Sequence, residues 1–559
     1  AARSHEKSRI SRSGLFYLRR ELNSVMTKTR NRWIGLVFIS MAISLVIIDG
    51  TIVNTIFPKV IEALKLTSTQ IQWVQESYVL VFASLLLVWG SIADRIGRKR
   101  LLIIGILIFI VASVWAGFSN DANAMILARV LQGVGGSMVL PTTLSLVNAN
   151  FQGKERGVAF AVWGATIGGM VAVGPVLGGW LATSFGDDGW RLAFNINLPL
   201  GLIVVAGLAW WVAESKQDQR EGGIDFVGAG ISVIMFLTLV FGLIEGRVYG
   251  WWEVTKNQFV LGDFKWATEG ISVIPVSLAI SAVSFVLFVL WERARERAHK
   301  NVILDLDLFK IRSFRNGSIA ALIISMGEFG ILFAIPLWLQ NVQGLSPIDS
   351  GLVLLWLAGG SFVASGIAGG LSGKIRPVVA VRAGVVLETI AVAGIALFAT
   401  PDATWGTFAP FLFVYGLGIG LATAQLTGVI MVDVPMAKTG QGSGSQSTVR
   451  QIGSALGIAV LGTFLFSITT SSVTDNLGKT TVPPNCTFEL PDVVVDSAGG
   501  VIPALAMCGE EVQTAAADGF TSGVSGSAWA AAGFLALGAV STIGLGSIAE
   551  RKEKAKKKA

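Results

Sequence analysis

Runs of about 20 apolar residues recur along most of this chain, and each is long enough to cross a bilayer as a helix. Charged residues make up 14% of the 559 residues, whereas a soluble chain carries about 25%. Glycine occurs 66 times, and small residues let helices approach closely in lipid. The sequence therefore predicts an all-α membrane protein, and it excludes a disordered chain, a collagen and a small disulfide scaffold.

Lysine and arginine indicate how the predicted helices are oriented. Fourteen spans are predicted between residues 33 and 548, so the two ends of the chain lie on one side. Most of the 43 basic residues fall at those ends and in alternate loops, and cytoplasmic segments carry such an excess. We therefore expect both termini in the cytoplasm.

A long outer loop is predicted at 468–525, before the last span. It holds Lys479 and seven acidic residues, which either gather cations at the outer mouth or form an ordinary solvated loop. Both cysteines, Cys486 and Cys508, lie in this loop. An oxidising exterior permits a disulfide between them, although their spacing alone leaves the pairing open.

A glycine-rich, charged loop follows the second predicted span. Glycines permit a tight turn there, and Asp94 ends one span while Arg95 and Arg98 begin the next. Such a charge cluster can hold neighbouring helices together. With Gly90 and Gly97, the run resembles the signature loop of the major facilitator superfamily, G-x-x-x-D-R-x-G-R-[KR].

Arg129 lies inside the fourth predicted span, where an unpaired charge costs several kcal/mol. It indicates either a functional site or a buried ion pair that only locks helices. Together with Gln132 it matches the R-x-x-Q-G element of the same superfamily, and this resemblance implies a role in proton transfer.

The fifth predicted span is rich in glycine around a proline. Proline bends a helix and glycine lets another helix approach, so ordinary tight packing is one interpretation. The run of Gly169, Gly174, Pro175, Gly178 and Gly179 is also similar to the antiporter motif of the superfamily, G-x-x-x-x-G-P-x-x-G-G. That resemblance implies export and argues against uptake by symport.

Two further elements resemble the 14-helix drug:proton antiporter branch of that superfamily. One runs from Asp49 to Asn54 as D-x-T-[IV]-V-N, and the other runs from Trp73 through Glu76 to Tyr78 as W-V-x-[DE]-x-Y. The resemblance implies a major facilitator fold, in which two six-helix bundles surround a central cavity and two extra helices lie between them. The corresponding divisions are a cytoplasmic N-terminal segment at 1–32, the N-terminal bundle at 33–213, the two extra helices at 224–291, a cytoplasmic linker at 292–315, the C-terminal bundle at 316–548 and a basic cytoplasmic tail at 549–559.

Four acidic residues lie well inside predicted spans, where a carboxyl group is costly: Asp49, Glu76, Glu328 and Glu388. Such a group can load a proton on one side of the membrane and release it on the other. Asp49, Glu76 and Arg129 have similar predicted depths in the outer half, and the resemblance lets Asp49 pair with Arg129 at the cavity. Glu328 is predicted near the bilayer midplane. Glu388 lies in a helix that the resemblance makes peripheral, which favours a structural role.

Aromatic and polar side chains in the spans are candidate substrate contacts. Aromatic rings stack on planar molecules and attract cations, but they also serve ordinary helix packing. Together with carboxylates they favour lipophilic cations as cargo. The candidates are Asn54, Trp73, Tyr78, Gln132, Trp163, Phe329, Phe333, Trp338, Trp356, Phe362 and Tyr415.

The residues and the resemblance predict a proton-coupled multidrug exporter of a bacterial plasma membrane. We expect it to act as a monomer, with small drugs, protons and membrane lipids as its partners. The sequence shows no phosphate-binding P-loop, metal cluster or catalytic trio, so we expect no cofactor, no metal, no enzyme activity and no nucleic-acid partner. An exporter or flippase of a lipid, peptide or metabolite is the main alternative, and a non-transporting receptor or enzyme is another.

Overall fold

The structure is a computed structural model that describes residues 32–53, 55–56, 59–66, 68–216, 223–255, 258–261, 264–370, 375–480, 482–486 and 490–545. Within these residues, 14 helices are long and apolar enough to cross a membrane. The number of spans predicted from the sequence is therefore confirmed. The terminal segments predicted at 1–32 and 549–559 lie outside the described residues, apart from Arg32.

The first six spans form the N-terminal part of the molecule. Helix α4 packs against α2 and α3, and α7 packs against α3. The side chain of Asp121 begins α4 by accepting a hydrogen bond from the amide of Ala124. The elements are α1 (Arg32–Val53), α2 (Ser68–Ile96), α3 (Arg98–Gly117), α4 (Ala122–Asn150), α5 (Gly153–Ser184), and the pair α6 (Gly189–Asn195) and α7 (Asn197–Trp211), which together make one span.

Two extra helices follow, α8 (Phe226–Tyr249) and α9 (Val273–Arg297). Between them, β1 (Val260–Leu261) pairs antiparallel with β2 (Phe264–Lys265). Helix α9 packs against α8, while Val283, Phe285 and Val286 are more than half exposed. An exposed apolar face on a long helix suits contact with lipid.

The last six spans form the C-terminal bundle. Helices α10, α14 and α16 pack against one another, and α12 packs against α13 and α16. The elements are α10 (Arg312–Asn341), α11 (Pro347–Gly370), α12 (Pro377–Phe398), α13 (Trp405–Met431), α14 (Thr439–Leu477), the short α15 (Leu490–Asp496) and α16 (Glu510–Ser541).

The two bundles meet through α5 against α11 and α13, and through α2 against α14. Helix α8 packs against both α2 and α14. We call the end of the molecule that carries Gly97 and Met436 the motif face. The opposite end, which carries Cys486 and Cys508, is the disulfide face.

The loop predicted at 468–525 is shorter than expected. Helix α14 continues to Leu477 and α16 begins at Glu510, because hydropathy marks the apolar part of a helix and the Ser-, Thr- and Ala-rich ends remain helical beyond it. A disulfide joins Cys486 to Cys508, whose Cα atoms are 5.8 Å apart.

Candidate functional site

The carboxylate of Asp49 in α1 is fully buried and lies at the centre of a polar network in the N-terminal bundle. Arg129 Nη1 on α4 lies 2.8 Å from Asp49 Oδ2, and Gln132 Nε2 donates to Asp49 Oδ1 at 3.0 Å. Asn197 Nδ2 on α7 also donates to Oδ1, at 3.1 Å. The buried Asp49–Arg129 pair thus receives further hydrogen bonds from Gln132 and Asn197. A charge pair in a low-dielectric interior needs such additional hydrogen bonds.

Further contacts fix the guanidinium of Arg129 in place. Its Nε donates to the carbonyl of Val74 at 3.3 Å, and its Nη1 also donates to Gln132 Oε1 at 2.9 Å. The guanidinium carbon lies 4.3 Å from the centre of the Tyr78 ring, within the range of a cation–π contact. The predicted residues Asp49, Arg129, Gln132 and Tyr78 thus form one site.

Two members of this network were missed by the sequence reasoning. Ser113 on α3 accepts hydrogen bonds from Gln132 and Asn197 at 2.9 and 2.8 Å. A lone serine in a span carries no distinctive signal. Asn197 does carry one, because an amide within an apolar span needs a buried partner.

Glu328 on α10 is buried in the C-terminal bundle with a second arginine. Arg450 Nη2 on α14 lies 3.4 Å from Glu328 Oε2, and Thr423 Oγ1 on α13 donates to Oε1 at 3.1 Å. The Tyr415 hydroxyl donates to the Glu328 backbone carbonyl at 3.1 Å. The sequence analysis does not single out Arg450, which α14 carries into the bundle from its start at Thr439.

Glu388 on α12 is fully buried beside this pair and close enough to interact electrostatically with Glu328 and Arg450. Among the residues that the structure describes, neither of its carboxyl oxygens has a hydrogen-bond partner. Its γ carbon packs against Gly418 of α13. A buried carboxyl without a partner costs much free energy when it is ionised. Glu388 is such a group, whereas Glu328 has a cation and a hydroxyl beside it.

Glu76 is predicted at a similar depth to Asp49 and Arg129, but its side chain faces a different neighbour. It lies beside Glu245 of the extra helix α8. The reason is helical phase: residues two apart on a helix point about 200° from each other, so Tyr78 faces Arg129 while Glu76 faces α8. Glu245 is not among the four acidic residues that the sequence predicts well inside spans.

The signature loop joins the two bundles at the motif face. Asp94 accepts hydrogen bonds from the amides of Gly440 and Gln441, at 2.8 and 3.1 Å, at the start of α14. A carboxylate is favourable at a helix N-terminus, where amide groups are free and the dipole is positive. Arg98 bridges Asp94 at 2.7 Å and also donates to the Met436 carbonyl at 3.0 Å.

Two glycines make that contact geometrically possible. A Cβ on Gly90 would lie 2.6 Å from the Gly440 carbonyl oxygen, so only glycine allows α2 and α14 to approach this closely. Gly97 has a φ of 116°, which favours glycine in the turn from α2 to α3. Arg95 donates to the Gly223 carbonyl at 2.8 Å, on the way into α8.

The glycine motif of α5 faces two helices at once. Added Cβ atoms on Gly174 and Gly178 would meet α1, and the position on Gly178 would lie 3.0 Å from the Ile52 carbonyl oxygen. Gly169 and Gly179 face Phe362 and Ile348 of α11, and Pro175 lies against Gly351 of the same helix. This run therefore lets α5 lie between the two bundles.

We expect Gly178→Val to destabilise the protein by about 1 to 3 kcal/mol, because the branched side chain would collide with the backbone of α1. The thermal unfolding midpoint of the purified protein measures this. Gly366→Val is the matched control in a span, since an added Cβ there meets nothing within 4 Å. Equal midpoints for the two variants would contradict the packing argument.

The candidate aromatic residues lie in different parts of the structure. Trp163 and Trp338 are buried and donate their indole N–H to Thr143 and Thr521, at 3.3 and 2.9 Å, so they serve packing within each bundle. Trp73 lies 6.2 Å from the Phe259 ring, at the contact with α8.

The remaining candidates lie on α11, which packs against α5, or on helices of the Glu328 site. Phe362 and Trp356 of α11 are about half exposed, and Phe329 and Phe333 of α10 are partly buried. Tyr415 belongs to the Glu328 site. Asn54 lies outside the described residues.

Three acidic side chains come together in the linker after α9, although the sequence predicts no metal site. They are Glu296, Asp305 and Asp307. Lys310 lies 2.5 Å from Asp307, and Lys438 forms an ion pair with Asp305. Lysines therefore pair with two of the three carboxylates, and Lys438 ties the linker to the start of α14.

The profile of the Major Facilitator Superfamily matches residues 39–458. The chain belongs to the major facilitator superfamily. Proteins of this superfamily transport solutes and are not enzymes, which agrees with the pairing of charges inside spans and with the fourteen helices described above.

Known members of the superfamily resemble this chain over most of its length. It is 30% identical to the multidrug efflux pump LfrA of Mycolicibacterium smegmatis over 526 residues, 93% of this chain and 97% of LfrA. It is 29% identical to the multidrug resistance protein Stp of Mycobacterium tuberculosis over 481 residues, 85% of this chain and 84% of Stp. The structure of the proton:xylose symporter XylE aligns with a TM-score of 0.57 at 11% identity, covering 92% of this chain and 95% of XylE, and this likeness shows the fold.

Proposed function

We propose that this protein exports small lipophilic drugs, often cationic ones, in exchange for protons. The observation that carries the proposal is the buried Asp49–Arg129 pair. An ionisable group inside a membrane bundle costs free energy, so its presence there indicates a functional site. The similarity to multidrug exporters along most of the chain supports drugs as the cargo. The energy source is the proton gradient, and no cofactor is required.

The same carboxylate can hold a proton, a cationic drug or the guanidinium of Arg129, and these occupants compete. Protonation of Asp49 removes its attraction for a cation, whereas deprotonation restores it. Competition of this kind couples drug release to proton uptake by linkage, since each ligand lowers the affinity for the other. Glu328 with Arg450 offers the same competition in the C-terminal bundle.

Glu388 completes the proposed proton-handling groups in the C-terminal bundle. It is buried beside Glu328 without a hydrogen-bond partner among the described residues. Burial therefore costs less free energy for the neutral carboxyl than for the ionised one. A proton that leaves Glu328 could therefore pass to Glu388 within the same buried site.

We propose that the motif face is cytoplasmic and the disulfide face is exterior, with both termini in the cytoplasm. The bias of lysine and arginine supports this orientation in a bacterial plasma membrane. Protons would then enter from the disulfide face towards Asp49. Each elementary charge moved across 100 mV contributes about 2.3 kcal/mol, so two exchanged charges would sustain a concentration ratio above a thousandfold.

Ethidium flux into proteoliposomes under an imposed pH gradient tests the proposal. We expect gradient-driven flux with the native protein and its loss with Asp49→Asn, because an amide cannot exchange a proton. Glu62→Gln is the matched control, since it makes the same acid-to-amide change at an exposed position.

Two results would contradict the proposal. Equal gradient-driven flux with Asp49→Asn would remove Asp49 from the coupling. Absence of ethidium flux with every variant would exclude lipophilic cations of this kind as cargo.

A further inference from the structure

An open cavity of about 520 Å³ lies at the motif face, between the end of α9, the short helical turn Leu306–Lys310 and the start of α10. Four of its lining side chains are basic: Arg293 and Arg297 of α9, Lys310 of the turn and Arg315 of α10. We call it the basic cavity. None of its lining residues belongs to the Asp49 or Glu328 site, so it is a separate feature of the molecule.

Two carboxylates also line the basic cavity, and they offset only part of its positive charge. The carboxylate of Asp307 lies 2.5 Å from the Lys310 ammonium, so these two charges neutralise each other. The other carboxylate belongs to Glu296 of α9, and it lies within 4.8 Å of the carboxylates of Asp305 and Asp307. Four cations thus face two carboxylates, and the lining remains positively charged.

The three arginines of the basic cavity are exposed, and in the described part of the chain their guanidinium groups form no ion pair. The neighbouring Arg295 differs, because its Nε lies 2.9 Å from the Asp225 carboxylate. Like charges that face one cavity repel each other, and an anion bound between them replaces this repulsion by attraction. Guanidinium groups match the geometry of phosphate through paired hydrogen bonds. The basic cavity is therefore complementary to a phosphate group.

The basic cavity adjoins apolar, exposed surface on both of its helices. Leu290, Arg293 and Arg297 follow one another at spacings of three and four residues, so they lie on one face of α9. On α10, Ile319 follows Arg315 by one turn. The side chains of Leu290 and Ile319 are more than half exposed, and both belong to membrane-crossing helices. Each wall thus changes from basic to apolar towards the interior of the membrane.

We propose that the basic cavity binds an anionic phospholipid, with its phosphate among Arg293, Arg297 and Arg315 and its acyl chains along the exposed apolar residues of α9. Basic pockets between spans on the cytoplasmic side bind the headgroups of anionic lipids, and the motif face has this proposed orientation. A soluble phosphate ester would use the arginines but not the adjoining apolar surface, so the continuity of the two favours a lipid. The bound lipid connects an extra helix with the C-terminal bundle, because it contacts α9 and α10 at once.

Native mass spectrometry tests this site on the full-length protein, released from a neutral detergent and titrated with phosphatidylglycerol. We expect Arg293→Gln, Arg297→Gln and Arg315→Gln each to weaken binding of the first lipid about fivefold, the factor that one basic residue contributes near an anionic headgroup. Arg312→Gln is the matched control, because Arg312 is an exposed arginine one turn before Arg315 that does not line the basic cavity. It should leave the affinity unchanged.

Two further ligands distinguish a lipid site from other kinds of site. Phosphatidylcholine with the same acyl chains has no net charge, so we expect it to bind more weakly and with no effect of the arginine variants. Glycerol phosphate has the phosphate group without acyl chains, and we expect it not to displace phosphatidylglycerol at equal concentration.

Three results would overturn the inference. An equal loss of affinity in Arg312→Gln would show only a general attraction between this end of the molecule and anionic lipid. Equal affinity for phosphatidylcholine would show that the headgroup charge is not recognised. Displacement by glycerol phosphate would show a site for soluble phosphate esters. The three arginine variants lie on two different helices, so misfolding of one leaves the others to decide.

Thermal unfolding gives a second measurement of the same site. A lipid that binds only the folded protein raises its unfolding midpoint. We expect phosphatidylglycerol to raise the midpoint of the native protein and of Arg312→Gln, but not that of the double variant Arg293→Gln with Arg297→Gln. An equal rise in the double variant would contradict the site. Neither measurement involves transport, so the lipid site and the proposed drug/proton exchange can fail independently.

Discussion

Arg129→Gln is expected to destabilise the protein by about 3 to 5 kcal/mol, because it leaves the buried Asp49 carboxylate without a counter-charge. Gln132 and Asn197 would still donate to the carboxylate, but neutral amides cannot replace the full charge of a guanidinium. The thermal unfolding midpoint of the purified protein measures the loss. The double variant Asp49→Asn with Arg129→Gln should recover a large part of it, since both charges are then gone.

Lys59→Gln is the matched control for this prediction. It removes the cation of the exposed Lys59–Glu62 pair, whose charged atoms are 3.8 Å apart, and exposed pairs contribute about 0 to 1 kcal/mol. A loss for Arg129→Gln as small as that for Lys59→Gln would show that water reaches Asp49. A double variant no more stable than Arg129→Gln alone would show that Arg129 acts through packing and not through its charge.

The sequence predicts the helices well because the apolar composition of a segment decides whether it can cross the lipid bilayer. Every span needs about 20 apolar residues, and no soluble alternative competes for that pattern. The two extra helices predicted at 224–291 are observed as Phe226–Tyr249 and Val273–Arg297, for example. The ends are predicted less well, since α14 and α16 continue through polar but helical residues that hydropathy does not register.

Half of the central site could also be predicted, for a physical reason. A charge inside a span requires an opposite charge nearby, and Arg129 is the cation predicted at a similar depth to Asp49 in the same bundle. The resemblance to a known family narrowed the choice further. No such rule identifies Ser113, and the buried amide of Asn197 signals a need for a partner without saying which one, since both roles depend on how α3 and α7 rotate towards α1.

The other polar contacts were missed where a helix is one or two turns longer than its apolar core. Glu245 lies near the end of an apolar run in the sequence, but α8 continues to Tyr249 and carries it against α2. Arg450 lies near the polar start of an apolar run, but α14 begins eleven residues earlier at Thr439 and carries it towards Glu328. Which acids pair across helices thus follows from tertiary packing, and a single sequence does not contain that information.

Asp94→Asn is expected to open the motif face. The Asp94 carboxylate accepts two amide hydrogen bonds from the start of α14 and an ion pair from Arg98, all on one buried group. Hydrogen bonds to a charged group contribute about 1.5 to 3 kcal/mol, and 1.4 kcal/mol is a factor of ten in an equilibrium. We therefore expect the open form to become about 10- to 100-fold more populated.

Labelling of an introduced cysteine measures that change. The two native cysteines are joined in a disulfide, so Thr439→Cys provides a free thiol at a residue that is fully buried beside the contact. We expect Asp94→Asn to raise its rate of reaction with a membrane-impermeant thiol reagent by the same factor.

Asp121→Asn is the matched control, because Asp121 also accepts an amide hydrogen bond at the start of a helix but does so within the N-terminal bundle alone. If both variants raise the labelling rate equally, the effect comes from local loosening of a helix and not from separation of the bundles. If neither does, the close approach of Gly90 to α14 is sufficient to hold the motif face closed, and the charge of Asp94 serves the folding of its own loop.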